Sequence, residues 1–286
     1  MKTILVTGAT GFLGSNLVDE LLKNTNDQVI AISGKPNDNS FALPDTPHIK
    51  TISLEGFFDS NFEGVDTIIN CAFPRSHDLE VLADALSFTE RLIDKIRIIN
   101  PTSVINISTQ GVYKRMPQGT LSTEESPILP VDLYSLLKLS VEKLFNVSGI
   151  KHITNVRLAS LYMKQRFLYR FIQQAKSGET IVLTAPNQYA SLLDVSDAAS
   201  GLVAITRIPP ADRAKIYNLG TGQQYSLKEC IERIKEVGGE LGYSVNYSIQ
   251  DQGITTCAGM AINKLQEDSG WSPKIHLDEL IHKAFS

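Results

Sequence analysis

The sequence predicts an α/β protein built on a doubly wound parallel sheet, with a smaller region towards the C-terminus. Three observations carry that prediction. Short, nearly continuous apolar runs alternate with amphipathic segments through the first 160 residues, the pattern of parallel strands covered by helices on both faces. The first such run passes directly into a glycine-punctuated turn that opens a helix. The 286 residues are 42% hydrophobic and 20% charged, a profile that supports a full core.

The elements follow in order. ILVT (4–7) is a strand and FLGSNLVDELLK (12–23) a helix; QVIAIS (28–33) is a second strand, HIKTISL (48–54) a weaker third and DTIINCA (66–72) a fourth. LEVLADALSFTERLIDKIRII (79–99) places apolar residues at three- and four-residue steps and reads as a long helix. SVINIS (103–108) is a strand, DLYSLLKLSVEKLFN (132–146) a helix, and ITNVRLA (153–159) the closing strand. Beyond residue 160 the alternation loosens. The expected division is a dinucleotide-binding core of residues 1–160 plus about 190–220. Residues of about 161–189 and 221–286 then form the substrate-binding region.

Composition excludes several classes of function. A formal charge of -4 gives no electrostatic footprint for nucleic acid or acidic membranes. No apolar run is long enough to span a bilayer, and the run after the N-terminal methionine is too short for a signal core. Cys71, Cys230 and Cys257 form no CxxC pair, which fits a reducing cytoplasm and argues against a disulfide framework. The histidines (His48, His77, His152, His276, His282) show no metal-ligand spacing, so no metal is expected.

Between the first strand and first helix lies TGATGFLG (7–14), a G-x-x-G-x-x-G spacing of Gly8, Gly11 and Gly14. Gly8 permits the tight turn, Gly11 lets backbone approach a pyrophosphate, and Gly14 lets the helix pack on the sheet. This is the context of a Rossmann-type dinucleotide site. Thr10, Phe12 and Leu13 of the same loop, with Ala72 at the end of the fourth strand, complete the expected cofactor contacts. A carboxylate about 20 residues on would bind the ribose of NAD, but the second strand ends Ile32-Ser33-Gly34-Lys35. Ser33 leaves room for a 2′-phosphate and Lys35 could neutralise it, although a solvated turn lysine reads the same way. NADP(H) is therefore the favoured cofactor and NAD(H) the alternative.

YSLLK (134–138) sets Tyr134 and Lys138 one helical turn apart. Such a pair arises by chance in many chains, so its surroundings decide. Upstream, Thr109 follows the strand SVINIS at the carboxyl end of the sheet, where ligands of doubly wound folds bind. A tyrosine with a pKa of about 10 is a slow acid–base group at neutral pH. A nearby ammonium would favour tyrosinate and lower that value. Thr109 can hydrogen-bond and orient a substrate oxygen. Phe73, Arg75, Ser76 and Tyr113 follow strand ends on the same side and are the candidates for pocket lining, though each could be an ordinary loop residue.

Taken in that order, TGATGFLG, ISTQGVY and YSLLK resemble the extended short-chain dehydrogenase/reductase family, the NAD-dependent epimerase/dehydratases that act mostly on nucleotide sugars. The resemblance continues through VRLASLY (156–162), FIQQAKSGETIVL (171–183), LLDVSDAA (192–199), YNLGTG (217–222) and AINKLQEDSGWSPKIHLDELI (261–281), so it spans nearly the whole chain. It implies a catalytic set of Thr109, Tyr134 and Lys138 and a homodimer through the helices at 79–99 and 132–146.

Departures from the family pattern narrow the reaction. Where 4,6-dehydratases carry Asp-Glu after the catalytic Thr, this chain has Gln110 and Gly111, which cannot supply the acid and base for water loss. Ser160 stands where an asparagine often contacts substrate. Ala190 and Ser191 stand where an arginine commonly grips the diphosphate, and Arg75, Arg166 or Arg170 could supply that charge instead. Trp271 reads as a packing residue. The leading expectation is reduction of a nucleotide-linked 4-keto-6-deoxysugar. The runner-up is a 4-epimerase using the same three residues, a reductase of a non-sugar carbonyl is a third possibility, and a non-catalytic dinucleotide sensor stands furthest back.

Overall fold

The computed structural model describes residues 1–34, 41–163, 166–253 and 257–286; Lys35 lies outside them. Seven parallel strands form the central sheet: β1 (Thr3–Thr7), β2 (Gln28–Ser33), β3 (Ile49–Ser53), β4 (Thr67–Asn70), β5 (Ser103–Thr109), β6 (Ile153–Leu158) and β7 (Ile216–Leu219). Their spatial order is β7-β6-β5-β4-β1-β2-β3, so the order reverses beside β1, between β1 and β4. A crevice for ligands opens at the carboxyl ends of strands at such a reversal. The helices are α1 (Phe12–Asn24), α2 (Leu54–Asp59), α3 (Leu79–Ile99), α4 (Leu133–Val147), α5 (Phe167–Ser177), α6 (Val195–Arg207), α7 (Leu227–Glu240), α8 (Asn263–Ser269) and α9 (Leu277–Phe285).

Strand alternation sends side chains to opposite faces, and both faces are buried. On one face Ile4 and Val6 pack with Leu17, Val18 and Leu21 of α1 and with Ala198 and Leu202 of α6. On the other, Leu5, Ile68 and Val104 pack with Phe57 of α2, Leu92 and Ile96 of α3, and Val141 and Phe145 of α4. A third cluster gathers α5, α7 and α9, with Phe171, Ile231, Ile234 and Ile281 at its centre. Trp271 is 9% exposed and its indole donates to Ser200 at 3.0 Å, which ties the C-terminal segment to α6.

A row of amides crosses the middle of the sheet. Thr7 donates to Asn70 at 2.7 Å, Asn70 to Asn106 at 3.0 Å, and Asn106 to Asn155 at 2.9 Å. These residues are paired in register from strand to strand. Buried polar groups need partners, and here each amide satisfies the next. The site begins just beyond this row.

Most element ends shift by a residue or so from the sequence reading, and two of these shifts fall beside the site. The fourth strand stops at Asn70 and does not reach Ala72, because the chain turns away past the pairing with Asn106. The fifth extends one residue further, making Thr109 the last residue of β5.

Candidate active site

The glycine loop is set by sterics. Gly8 has φ of +68°, and a Cβ there would lie 2.9 Å from the backbone nitrogen of Ala72. A Cβ on Gly14 would lie 2.1 Å from the Gly8 carbonyl oxygen. The first turn of α1 therefore closes directly on the β1 turn, and only glycine fits. Gly11 caps α1 with no side-chain hydrogen bond, so the leading N–H groups of the helix face the loop with no side-chain partner. A loop that excludes side chains and presents free N–H groups fits a dinucleotide pyrophosphate.

Two cavities meet here. The first, about 290 Å³, runs from Gly8, Gly11, Phe12, Leu13 and Gly14 past Cys71 and Phe73 to Lys138. The second, about 270 Å³, runs from Ser76 and Tyr113 to Gln188–Leu192 and Cys257–Met260. Thr109, Tyr134, Ser160, Arg75 and Arg166 border both. A side chain in that common wall can touch ligands in either space.

The elements explain why these residues meet. Thr109 ends β5, and its hydroxyl accepts from the Gly111 N–H at 3.2 Å, which starts the short 3-10 turn Gln110–Val112. Asp132 caps α4 by accepting from the Ser135 N–H at 2.8 Å, so the helix begins with Tyr134 in its first turn. The Tyr134 ring meets the Phe73 ring edge-on at 6.1 Å, and the Arg75 guanidinium lies 6.0 Å from its centroid. Lys138 is buried, with its ammonium 4.7 Å from the Phe73 ring centre.

The electrostatics differ from expectation at Tyr134. Burial raises its pKa above 10, Arg75 pulls it down and Asp132 pushes it up. Loss of water outweighs the pull of the Arg75 guanidinium. Lys138 is pushed down to about 8, also by burial. Lys138 is not among the groups that shift Tyr134.

Not every expected contact residue lines one of these cavities. Thr10 uses its carbonyl to accept from Phe41 at 2.9 Å, and it lines neither cavity. Ala72 packs beneath Gly8 and is outside both linings. Ser33 likewise lines neither cavity; its hydroxyl donates to the Gly34 carbonyl at 3.1 Å. Tyr113 borders the second cavity, but its hydroxyl donates to Asn218 at 2.7 Å and its ring lies under Arg157, so its polar end faces the interior. Ser160 and Ser76 do border the second cavity, and Ser160 accepts from the Gln110 amide at 3.1 Å. Gln110, Tyr189 and Cys257 also line the second cavity, a placement that the sequence reading did not give them. Arg170 is exposed on α5 and away from both cavities. No group of three or more potential metal ligands occurs among the described residues.

Fold and paired cavities together define a protein of the doubly wound dinucleotide-binding class. Residues 4–220 match the model of the NAD dependent epimerase/dehydratase family, and the chain belongs to that family. It is 29% identical over 260 residues to the low-salt glycan biosynthesis protein Agl12 of Haloferax volcanii, covering 82% of this chain and 83% of that one. It is 26% identical over 301 residues to a dTDP-glucose 4,6-dehydratase of Streptomyces griseus, covering 96% and 90% of the two chains. Among solved structures, UDP-glucuronic acid 4-epimerase from Bacillus cereus, in complex with UDP-glucuronic acid and NAD, superposes with a TM-score of 0.83. That match covers 99% and 98% of the chains at 21% identity. No helix among the described residues is long and apolar enough to cross a membrane.

Proposed function

We propose that this chain is an NAD(P)-dependent enzyme that moves hydride at C4 of a nucleotide-linked sugar. The observation that carries the reading is the wall of Thr109, Tyr134 and Ser160 between the glycine-loop cavity and the second cavity. A nicotinamide ring, when bound, accepts or donates the hydride. Gly8, Gly11 and Gly14 hold the pyrophosphate of that cofactor, and Lys138 donates to its ribose. Thr109 and Tyr134 hydrogen-bond the C4 oxygen of the sugar. Tyr134 takes the hydroxyl proton as the carbon is oxidised and returns it as the carbon is reduced. Lys138 stabilises tyrosinate during that exchange.

Two net reactions share this step. A 4-epimerase returns hydride to the opposite face of the sugar, and the relative solved with UDP-glucuronic acid and NAD supports this reading with NAD. A 4-ketosugar reductase consumes the cofactor, and the lack of a carboxylate at Ser33 and Gly34 supports it with NADP(H). Gln110 and Gly111 disfavour dehydration. Cofactor released by denaturing freshly purified protein and identified by mass separates the two. Retained NAD in near-stoichiometric amount supports the epimerase; an empty site that prefers NADPH to NADH supports the reductase.

Arg75 and Arg166 supply the positive charge for a diphosphate in place of the arginine missing at Ala190 and Ser191. Arg166→Ala should raise KM for the nucleotide sugar about tenfold with a smaller change in kcat, measured by steady-state kinetics. The cytoplasm is the compartment that the three free cysteines fit. A homodimer through α3 and α4 would cover the exposed Leu79, Ile98, Leu133 and Leu136. Leu136→Glu should then halve the mass measured by light scattering after size exclusion.

A further inference from the structure

Behind the catalytic wall lies a buried ionic cluster that the proposed chemistry does not use. Glu142 stands one turn after Lys138 and two turns after Tyr134, so the three share a face of α4. Its carboxylate accepts from the Ser108 hydroxyl at 2.5 Å, from Arg157 Nε at 3.1 Å and from Arg157 Nη2 at 2.9 Å. Glu142, Ser108 and Arg157 are each no more than 3% exposed. Ser108 adjoins Thr109 on β5, and Arg157 lies on β6, which leads to Ser160. One carboxylate thus joins the helix of Tyr134 and Lys138 to the strand of Thr109 and the strand approaching Ser160.

Stability alone is a poor explanation for such a cluster. Desolvation of a buried ion pair offsets most of its attraction, and an apolar pair of similar volume is often as stable or more so. Lys138 points to a different role. Its ammonium has no hydrogen-bond acceptor among the described residues, and burial pushes its pKa to about 8. Cys71 and Phe73 face it from the end of β4, and Tyr134 and Glu142 from its own helix. Ser108 and Arg157 stand behind Glu142, and Arg75 lies beyond Tyr134. Cys71 is itself raised to about 12 by burial, so it is a neutral thiol at ordinary pH. Glu142 is then the one carboxylate among the described residues that acts on Lys138.

We propose that Glu142 is a positioning residue that fixes α4 against β5 and β6 and supplies the negative charge that keeps Lys138 protonated. Arg157 holds the carboxylate in place through two hydrogen bonds, and Ser108 carries the constraint to Thr109. The inference rests on the roles given above to Tyr134 and Lys138.

The test is a pH titration of Lys138 in protein labelled with carbon-13 at lysine Cε, followed by NMR and assigned by loss of the signal in Lys138→Met. In Glu142→Gln the midpoint should fall by at least about half a pH unit. The paired apolar variant Glu142→Met/Arg157→Leu should keep the thermal midpoint of the wild type and still show the lowered Lys138 midpoint. With UDP-glucose and UDP-glucuronic acid as probes, kcat should fall about tenfold in both variants with KM little changed. The alkaline limb of turnover should move down with Lys138. An unchanged Lys138 midpoint in the folded apolar variant, or wild-type kcat in it, overturns the proposal, and that variant decides the matter where Glu142→Gln does not fold. If the wild type acts on neither probe, the reaction proposed for the site is what fails, and the Lys138 titration still decides the role of Glu142.

Discussion

Tyr134→Phe should lower turnover by about 10²–10⁴-fold, the range that a positioned proton donor contributes, while the fold and dinucleotide binding persist. The substitution removes one hydroxyl and keeps the ring that packs edge-on against Phe73. Loss of kcat with unchanged KM is therefore expected from steady-state kinetics, with cofactor affinity unchanged by calorimetry. Unchanged turnover would remove Tyr134 from the chemistry. No turnover in either form, with the cofactor still bound, would favour a dinucleotide sensor. The pH dependence of the wild type should carry the mark of two opposed groups. Burial raises the Tyr134 phenol and keeps it neutral at ordinary pH, and burial likewise pushes Lys138 down to about 8. Cofactor binding should alter both titrations, because it adds charge and hydrogen bonds to a space where neither group is solvated.

Gly14→Ala should abolish dinucleotide binding and destabilise the protein by about 1–3 kcal/mol. The added methyl carbon falls 2.1 Å from the Gly8 carbonyl oxygen, and that atom belongs to backbone that cannot rotate away. Either α1 lifts from β1 or the loop turns, and each movement spoils the ring of N–H groups at the helix start. Gly239→Ala is the control: its Cβ meets nothing within 4 Å. It should bind dinucleotide normally and be no less stable, since alanine is the better helix former. Isothermal calorimetry with NAD and NADP, beside thermal unfolding of both variants, checks the prediction. Normal binding by Gly14→Ala would mean that the loop has room the geometry denies.

Much of the architecture was legible because parallel strands buried on both faces must be apolar throughout. ILVT, QVIAIS and SVINIS could hardly be anything else, and β1, β2 and β5 lie where those runs lie. The third strand and α2 were less visible: β3 is a half-exposed edge, and its burial pattern gives no clean period. Among the site residues, those tied to local geometry were the readable ones. Gly8 and Gly14 follow from a turn, and Tyr134 and Lys138 from helical spacing. The walls of the second cavity were not readable, because Gln188–Leu192 and Cys257–Met260 come together only through tertiary packing. Glu142 was missed for another reason. A charged residue on an amphipathic helix normally faces water, and only the approach of Arg157 from a neighbouring strand makes this one interior. Ser33 shows the opposite limit. Its small size at a strand end suggested room for a 2′-phosphate, which a hydroxyl that donates to the Gly34 carbonyl neither supports nor opposes.

The amide row across β1, β4, β5 and β6 has a consequence for how this molecule can change. A parallel strand held by backbone alone can slide by two residues and keep its apolar faces correctly turned. Here such a slide would strand several interior amides at once, each without water to replace its partner. The row therefore works as a datum line: Gly8 lies one residue past it, Ala72 two and Thr109 three. Loops above that line can be lengthened, shortened or recoloured with charge while the floor stays level. Altering Asn106, which joins both neighbours, should shift the heights of Thr109 and the glycine turn together.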